Sequence, residues 1–384
     1  MRPIKLAWAR LRNNGRQMNL ASTPSPMPQF AGECALYAFT GSFTTKKRKA
    51  RGTGIGIYRL KEDMWQEAGG ITGLINPSFL MSDLARGVIY AAHGDSDFAS
   101  SFRLDQETGE LRLLGQAATG GMNGVHLALT SSGRFLLVAN YASGSVATLP
   151  VEPDGTLRSF IDQLELPGEP GPHRQEQHGS HPHHIVPDPS GRFFVVPDKG
   201  LDCVFTLAFD EVSARLRIVN RAMLRPGAGP RHIAFHPHED VAFLVNELES
   251  SLVLCAWNSV AGNLTPLQQV STLPEHFFGA NSAAAIAITQ CGRFVYVSNR
   301  GQDGIACFEY DSEAQRIAPL NHTTSGGRDP RFIILSPNGR QIIAANEQGD
   351  NLVFFDIDEA DGTLIPRRAT LHSYSPCTIA FLPT

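Results

Sequence analysis

Short apolar runs separated by turn residues recur along this chain with a period near fifty residues. One opening string returns seven times: PSFLMSD at Pro77, GVHLALT at Gly124, PHHIVPD at Pro182, PRHIAFH at Pro230, AAAIAIT at Ala283, PRFIILS at Pro330 and PCTIAFL at Pro376. The runs have strand length and are too short for helices. The fifth repeat shows the whole unit: AAAIAIT, the turn QCGR, FVYVSN, the loop RGQDG, IACFEYD and the weaker RIAPL. Its first turn has counterparts in SSGR, PSGR and PNGR, where glycine supplies the positive backbone dihedral that a tight hairpin needs. Each repeat is therefore predicted to be a four-stranded antiparallel meander, with six units beginning at about residues 76, 123, 181, 229, 281 and 329.

The seventh unit ends after its first strand. Near the other terminus, LYAFTGSF, GIGIYRL and WQEAGG read as the missing second, third and fourth strands, so the two ends are expected to complete one blade together. Closure removes the open sheet edges that invite aggregation. The expected fold is all-β, a single seven-bladed β-propeller over residues 36–384. Pro187, inside the first strand of repeat three, fits a strand lying at the sheet edge along the central channel. Residues 1–35 stand apart, with Arg2, Lys5, Arg10, Arg12 and Arg16 but no continuous apolar secretory core. They are expected to be a disordered extension or a mis-assigned start, Met18 or Met27 being the initiator, with a transit peptide as the alternative.

Composition narrows the picture further. With 42% hydrophobic residues, 36 glycines, 25 prolines and a net charge of −4, the chain reads as a soluble, turn-rich protein with no nucleic-acid partner. The run KKRKAR, Lys46 to Arg51, is read as a solvated hairpin loop rather than a polyanion patch, and the GTGIG after it as a strand, since no helix pattern follows. Six cysteines without a CxxC pair read as reduced core thiols, which suits a cytoplasmic location. No run approaches the length of a membrane span, so no membrane partner is expected.

In an antiparallel hairpin, the start of the first strand and the end of the second meet at one rim. The starts bring Ser78, His126, His183, Arg231, Arg331 and Cys377 to that rim. The segments after the second strands add His93, Asn140, Tyr141, Asp198, Lys199, Asn246, Glu247, Asn299, Arg300, Asn346 and Glu347. The opposite rim holds SPNGR and EADGT turns that turn chemistry explains.

The strings SHPHHIVPDPSGRFFVVPDKGLDCVF, GPRHIAFHP, LVNELES, VSTLPE and YVSNRGQDGIACF resemble the lactonase-type seven-bladed propellers, the family of bacterial 6-phosphogluconolactonases and fungal carboxy-cis,cis-muconate cyclases. The resemblance spans about residues 36 to 383. It implies a cofactor-free enzyme, with no metal, that opens or forms a lactone on an anionic small molecule. In the muconate cyclase branch the functional residues are a histidine, two arginines and a glutamate, and these fall here at His183, Arg231, Glu247 and Arg300. His181, Lys199, Asn140, Arg331 and Glu347 are expected substrate contacts by their place on the rim.

The residue types suit the chemistry independently. Arginine forks stabilise both the developing oxyanion and a fixed carboxylate or phosphate. Hydrolysis also needs a base for water and an acid for the leaving oxygen, which glutamate and histidine can divide, Glu247 being the strongest candidate base. Cyclisation instead has the substrate's own carboxylate attack a double bond while a protein group delivers a proton to carbon. Duller roles stand beside these: Arg231 and Glu247 as a rim salt bridge, Arg300 bracing the Glu347 loop, and His126, His184 and His232 as structural histidines in the next, inward-packed position. A zinc site among His173, His178, His181, His183 and His184 is disfavoured for want of nearby acidic ligands. No GxSxG occurs, which argues against a serine hydrolase. A binding scaffold without catalysis is the rival class, disfavoured because the rim is polar rather than apolar. The insert from Leu166 to Ser180 reads as a lid or a mobile loop. Two departures from the family pattern are Ala285, where many relatives carry an acid, and HPHEDVAF, which lacks the glycine turn.

Overall fold

The computed structural model describes residues 36–61, 64–105 and 107–383, so the expectations for residues 1–35 lie outside the described residues. Seven four-stranded antiparallel sheets are present, one per repeat. Blades 1 to 6 follow chain order, and blade 7 is assembled from both ends in the order Pro376–Pro383, Leu36–Ser42, Gly54–Lys61, Met64–Thr72. The terminal strands pair in the predicted register, with Phe39 opposite Ala380.

Strands in the middle of each blade are buried on both faces, as Val88–His93 and Val241–Asn246 are along their whole length. Both alternating sets of side chains must then be apolar, because each meets a neighbouring blade. The core accordingly lies between blades rather than within them. Between blades 4 and 5, Phe243 and Val245 pack with Val295, Val297 and Phe308, and similar clusters fill the other six interfaces among the described residues.

The glycine turns form as expected, with φ of 66° at Gly133, 67° at Gly191, 80° at Gly292 and 74° at Gly339. Blade 4 replaces the glycine with a side-chain brace. His236 Nδ1 accepts the backbone N–H groups of His238 at 3.1 Å and Glu239 at 3.0 Å.

One strand is shorter than predicted. The inner strand of blade 3 pairs regularly only at Val186–Pro187, preceded by a single bridge between Pro182 and Asp198. Proline has no N–H to offer the ladder, and Pro182, Pro187 and Pro197 all fall in this hairpin. The segment around His183 is held instead by bonds such as His183 N to Pro197 O at 3.0 Å.

Inner strands are sheet edges, so some of their channel-side amides have no ladder partner. At three places the third residue of an inner strand supplies the missing acceptor to the next blade. Thr378 Oγ1 accepts from Leu80 N at 3.3 Å, His126 Nδ1 from Ile185 N at 3.4 Å, and His184 Nδ1 from Ile233 N at 3.3 Å. These histidines follow one another along the channel, His126 meeting His184 edge-on at 3.9 Å and His184 stacking on His232 at 4.4 Å between ring centroids. Burial holds them neutral, pushing His184 down to about 3 and His126 and His232 well below the ordinary histidine range.

Candidate functional site

Two rings of equivalent positions surround one mouth of the channel. The second residue of each inner strand forms the first ring: Ser78, Val125, His183, Arg231, Ala284, Arg331 and Cys377. The residue that follows the polar end of each second strand forms the other: Phe43, Gly94, Tyr141, Lys199, Glu247, Arg300 and Glu347. A repeated backbone bond positions the second ring, as in Phe43 N to Ser375 O at 3.1 Å, Tyr141 N to Asn123 O at 3.0 Å and Glu247 N to Gly229 O at 2.7 Å. The acceptor residue often has left-handed backbone, φ 61° at Asn123 and 63° at Gly229, conformations that asparagine and glycine tolerate.

The rings enclose a cavity of about 310 Å³, at the small end of the roughly 300–1,000 Å³ typical of small-molecule sites. Four arginines reach it, Arg48, Arg231, Arg300 and Arg331, against two glutamates, Glu176 and Glu247. Glu247 is the hub. Its carboxylate lies 2.8 Å from Lys199 Nζ, 2.9 Å from Arg231 Nε and 3.2 Å from Arg300 Nη2, and only 7% of the residue is exposed. The Arg231 contact is an ion pair whose Nε points out of line for a hydrogen bond.

Burial opposes charge on Glu247, but Arg300, Lys199 and Arg231 together outweigh it and hold its pKa well below the usual carboxylate range. It is thus ionised but weakly basic while all three cations are engaged. Arg231 is buried too, and remains a guanidinium beside this carboxylate. Burial and then the Arg231 charge push His183 well below the ordinary histidine range, so it is neutral, and its buried Nδ1 has no hydrogen-bond partner among the described residues. Burial raises the Cys377 thiol, which donates to Gly41 O and is poorly suited to act as a nucleophile.

The structure brings His183, Arg231, Glu247 and Arg300 together at this cavity. Arg331 also lines it, and Lys199 stands behind it with its Nζ between Glu176 and Glu247, at 2.7 and 2.8 Å. Three expected contacts sit elsewhere. Asn140 is fully buried beneath the rim, where Nδ2 donates to Thr119 O at 3.0 Å. Asn299 and Asn346 make the same kind of bond, to Thr272 O and Ser325 O, so this asparagine belongs to the repeat scaffold. His181 stacks on Tyr141 with centroids 4.6 Å apart and hydrogen-bonds its carbonyl, outside the cavity lining. Glu347 lies behind Arg331, 3.6 Å from its Nη1. Arg300 braces Glu247 rather than the Glu347 loop, and Val125 takes the rim position expected for His126.

Of the lining residues that escaped the sequence reading, three bear on the chemistry. Phe43 belongs to the split blade, although its place in LYAFTGSF is the counterpart of Glu247 in LVNELES and would have revealed it. Arg48 comes from the KKRKAR loop, which is not simply solvated: a short 3₁₀ turn over Lys46–Arg48 carries that arginine into the cavity wall. Glu176 comes from the insert, which is fastened by Gln177 Nε2 donating to Lys199 O and Asp202 Oδ1, both at 2.8 Å, and so forms a wall. The missing acid at Ala285 has a backbone substitute. The inner strand of blade 5 bulges at Ala283 to Ile286, and Arg231 Nη1 donates to Ala284 O while Arg300 Nη2 donates to Ala283 O at 3.4 Å. Among the described residues, no three of His, Cys, Asp and Glu are arranged to hold a metal ion.

Residues 37–381 match a family model described as a lactonase, 7-bladed beta-propeller. A protein of Bacillus subtilis named 6-phosphogluconolactonase is 32% identical over 351 residues, covering 90% of this chain and 97% of its own. A structure named as the periplasmic gluconolactonase PpgL of Pseudomonas aeruginosa superposes with a TM-score of 0.81 at 28% identity, over 90% of this chain and 99% of that one. A Lactobacillus plantarum protein gives 0.83 at 25% identity, over 91% and 99%.

Proposed function

The chain belongs to the seven-bladed β-propeller lactonase family, and from that premise we propose that it hydrolyses an anionic sugar-acid lactone, 6-phosphogluconolactone or a close relative. The observation that carries the reading is the convergence of four arginines and two glutamates on one small cavity. An anionic substrate is drawn to that surplus of positive charge. Arg231 and Arg300 then face the carbonyl oxygen, where negative charge develops as water adds.

Proton transfer falls to Glu247 and His183. When the lactone draws the two arginines toward its carbonyl, Glu247 loses part of the cationic field that depresses its basicity, and it takes a proton from the attacking water. The tetrahedral intermediate collapses with cleavage of the bond between the carbonyl carbon and the ring oxygen. That oxygen leaves with the proton returned by Glu247, directly or through neutral His183, and the product is the open hydroxy acid. The same residues suit the cyclase reaction, in which a substrate carboxylate adds to a double bond and carbon is protonated, but the names of the relatives favour hydrolysis. Lys199 keeps Glu247 in place, and Arg331 offers a second contact to the substrate. We place the activity in the cytoplasm on the strength of the buried free thiols Cys203, Cys255 and Cys307.

The experiment is a panel of 6-phosphogluconolactone, gluconolactone and carboxymuconate, with Glu247→Gln and Arg231→Ala as controls. Hydrolysis of a lactone that collapses in both variants is expected. Turnover of none of the three, or rates unchanged in both variants, would overturn the reading.

A further inference from the structure

The charge on the rim is divided between two arcs. In blades 3 to 5, Glu247 engages Lys199, Arg231 and Arg300. From blade 6 through blade 7 to blade 1 the arrangement differs. Phe43 is buried at the mouth of the channel, and two guanidinium carbons lie over its ring, Arg48 Cζ at 4.8 Å and Arg331 Cζ at 5.0 Å from the centroid.

Arg48 is oriented by Asp95, which accepts from Nε at 2.8 Å and from Nη2 at 2.7 Å. Nη1 is left without a partner from that pair. Arg331 makes no hydrogen bond among the described residues, its only ion pair being the 3.6 Å approach to Glu347. Both arginines line the cavity. A side chain at Gly94 would intrude on this wall, since a Cβ there would come within 3.0 Å of Ser78 Oγ and 3.3 Å of the Phe43 ring. The bare glycine keeps the arc open beside two like charges that one aromatic ring holds in place. Arg48 Nη1 and the guanidinium of Arg331 still have donors to offer, and a dianion with several oxygens accepts from both.

We propose that Arg48, Phe43 and Arg331, with Ser78 at their side, form a second anion subsite that binds a phosphomonoester on the part of the substrate remote from the carbonyl under attack. This rests on the lactonase reading above and names the substrate class within it. A phosphate matches the subsite better than a carboxylate, because it offers three acceptor oxygens and up to two charges to two separate guanidinium groups.

The test compares kcat/KM for 6-phosphogluconolactone, gluconolactone and a glucarolactone, which carries a carboxylate at the same end, in the wild type, Arg331→Ala and Arg48→Ala. One charge-assisted contact corresponds to roughly 10–100-fold, so the wild type should prefer the phosphorylated lactone by at least about tenfold. That preference should largely vanish in Arg331→Ala, through KM. Equal losses on all three lactones would overturn the subsite, as would an equal wild-type preference for the glucarolactone. Arg48 also anchors its loop through Asp95, so Arg331→Ala decides the matter, with an unchanged thermal midpoint as its control. Should no lactone turn over, the lactonase reading fails by itself, and the subsite is judged by calorimetry with 6-phosphogluconate and gluconate. A phosphate-dependent gain in affinity that Arg331→Ala abolishes supports it, and equal binding of the two acids overturns it.

Discussion

His183 and His184 are neighbours on the segment that leads into one short strand, yet they belong to different belts of the channel. The belt at the second inner-strand position faces the cavity in every blade but the fifth, and its lining residues vary from blade to blade: Ser78, Val125, His183, Arg231, Arg331 and Cys377. The belt at the third position is mixed: Phe79, His232 and Phe332 also touch the cavity, and the others turn toward the neighbouring blade. There His126, His184 and Thr378 repeat one task, accepting an edge amide across the interface. At His183 and His184 one residue of register separates the cavity from the blade interface, because successive side chains of extended chain point to opposite sides. A buried histidine is therefore weak evidence of a site until its partner is known: among the described residues His184 Nδ1 has one, and His183 Nδ1 does not.

Substitutions at the outer belt and its partner ring should give the largest effects. Glu247→Gln should lower kcat/KM for the preferred lactone by roughly 10²–10⁴, the range for loss of a general base. It should also lower the thermal midpoint, because Arg231, only 3% exposed, loses its counter-charge. Full activity in this variant would erase the distinction between the belts. Arg231→Ala should cost roughly 10²–10³ in kcat, as loss of an oxyanion donor does.

The inner belt should respond in the opposite sense. His184→Ala removes the acceptor of Ile233 N–H and should cost about 1–3 kcal/mol of stability by denaturant titration, with kcat changing less than about threefold. A collapse of kcat at unchanged stability would mean that His184 acts in the chemistry.

Acid sharpens the contrast. The native pKa of His184 is pushed down to about 3 and that of His93 to about 4, while the unfolded chain titrates near the ordinary value of 6.5. Below 6.5 the unfolded state binds protons that the native state refuses, so stability falls as pH drops from 6.5 toward 4. The loss is up to ~1.4 kcal/mol per histidine per pH unit. Glu247 stays ionised over the same window, its pKa being held well below the usual carboxylate range. Loss of activity in acid should therefore track the thermal midpoint rather than titration of the base. The smallest effect is that of salt: between about 0.05 and 0.5 M, KM for an anionic lactone should rise a few-fold as screening weakens the arginine field.

The ring of blades was legible in the sequence because each repeat carries its own strand lengths and turn glycines. Even closure of the ring could be read, since the strands missing at one end appear at the other. The candidate quartet was legible in the same way, His183, Arg231, Glu247 and Arg300 being departures at equivalent places in the repeat. Asn140 misled for the converse reason. A buried asparagine that recurs in several blades looks like a rim residue until its amide is seen bonded to Thr119 O. Arg48 and Glu176 lie in loops outside the repeat, where periodicity assigns no direction to a side chain.

The sequence by itself thus determined the number of blades, the composite seventh blade and the rim on which polar residues gather, because these follow from local periodicity and turn chemistry. Only the tertiary structure decided which charges meet. Glu247 is ionised but weakly basic because three cations from blades 3, 4 and 5 converge on it, and Arg48 and Arg331 share Phe43 because the chain ends close the ring beside them. Those contacts join residues far apart in sequence, and their strength depends on burial and distance, which the order of residues does not contain.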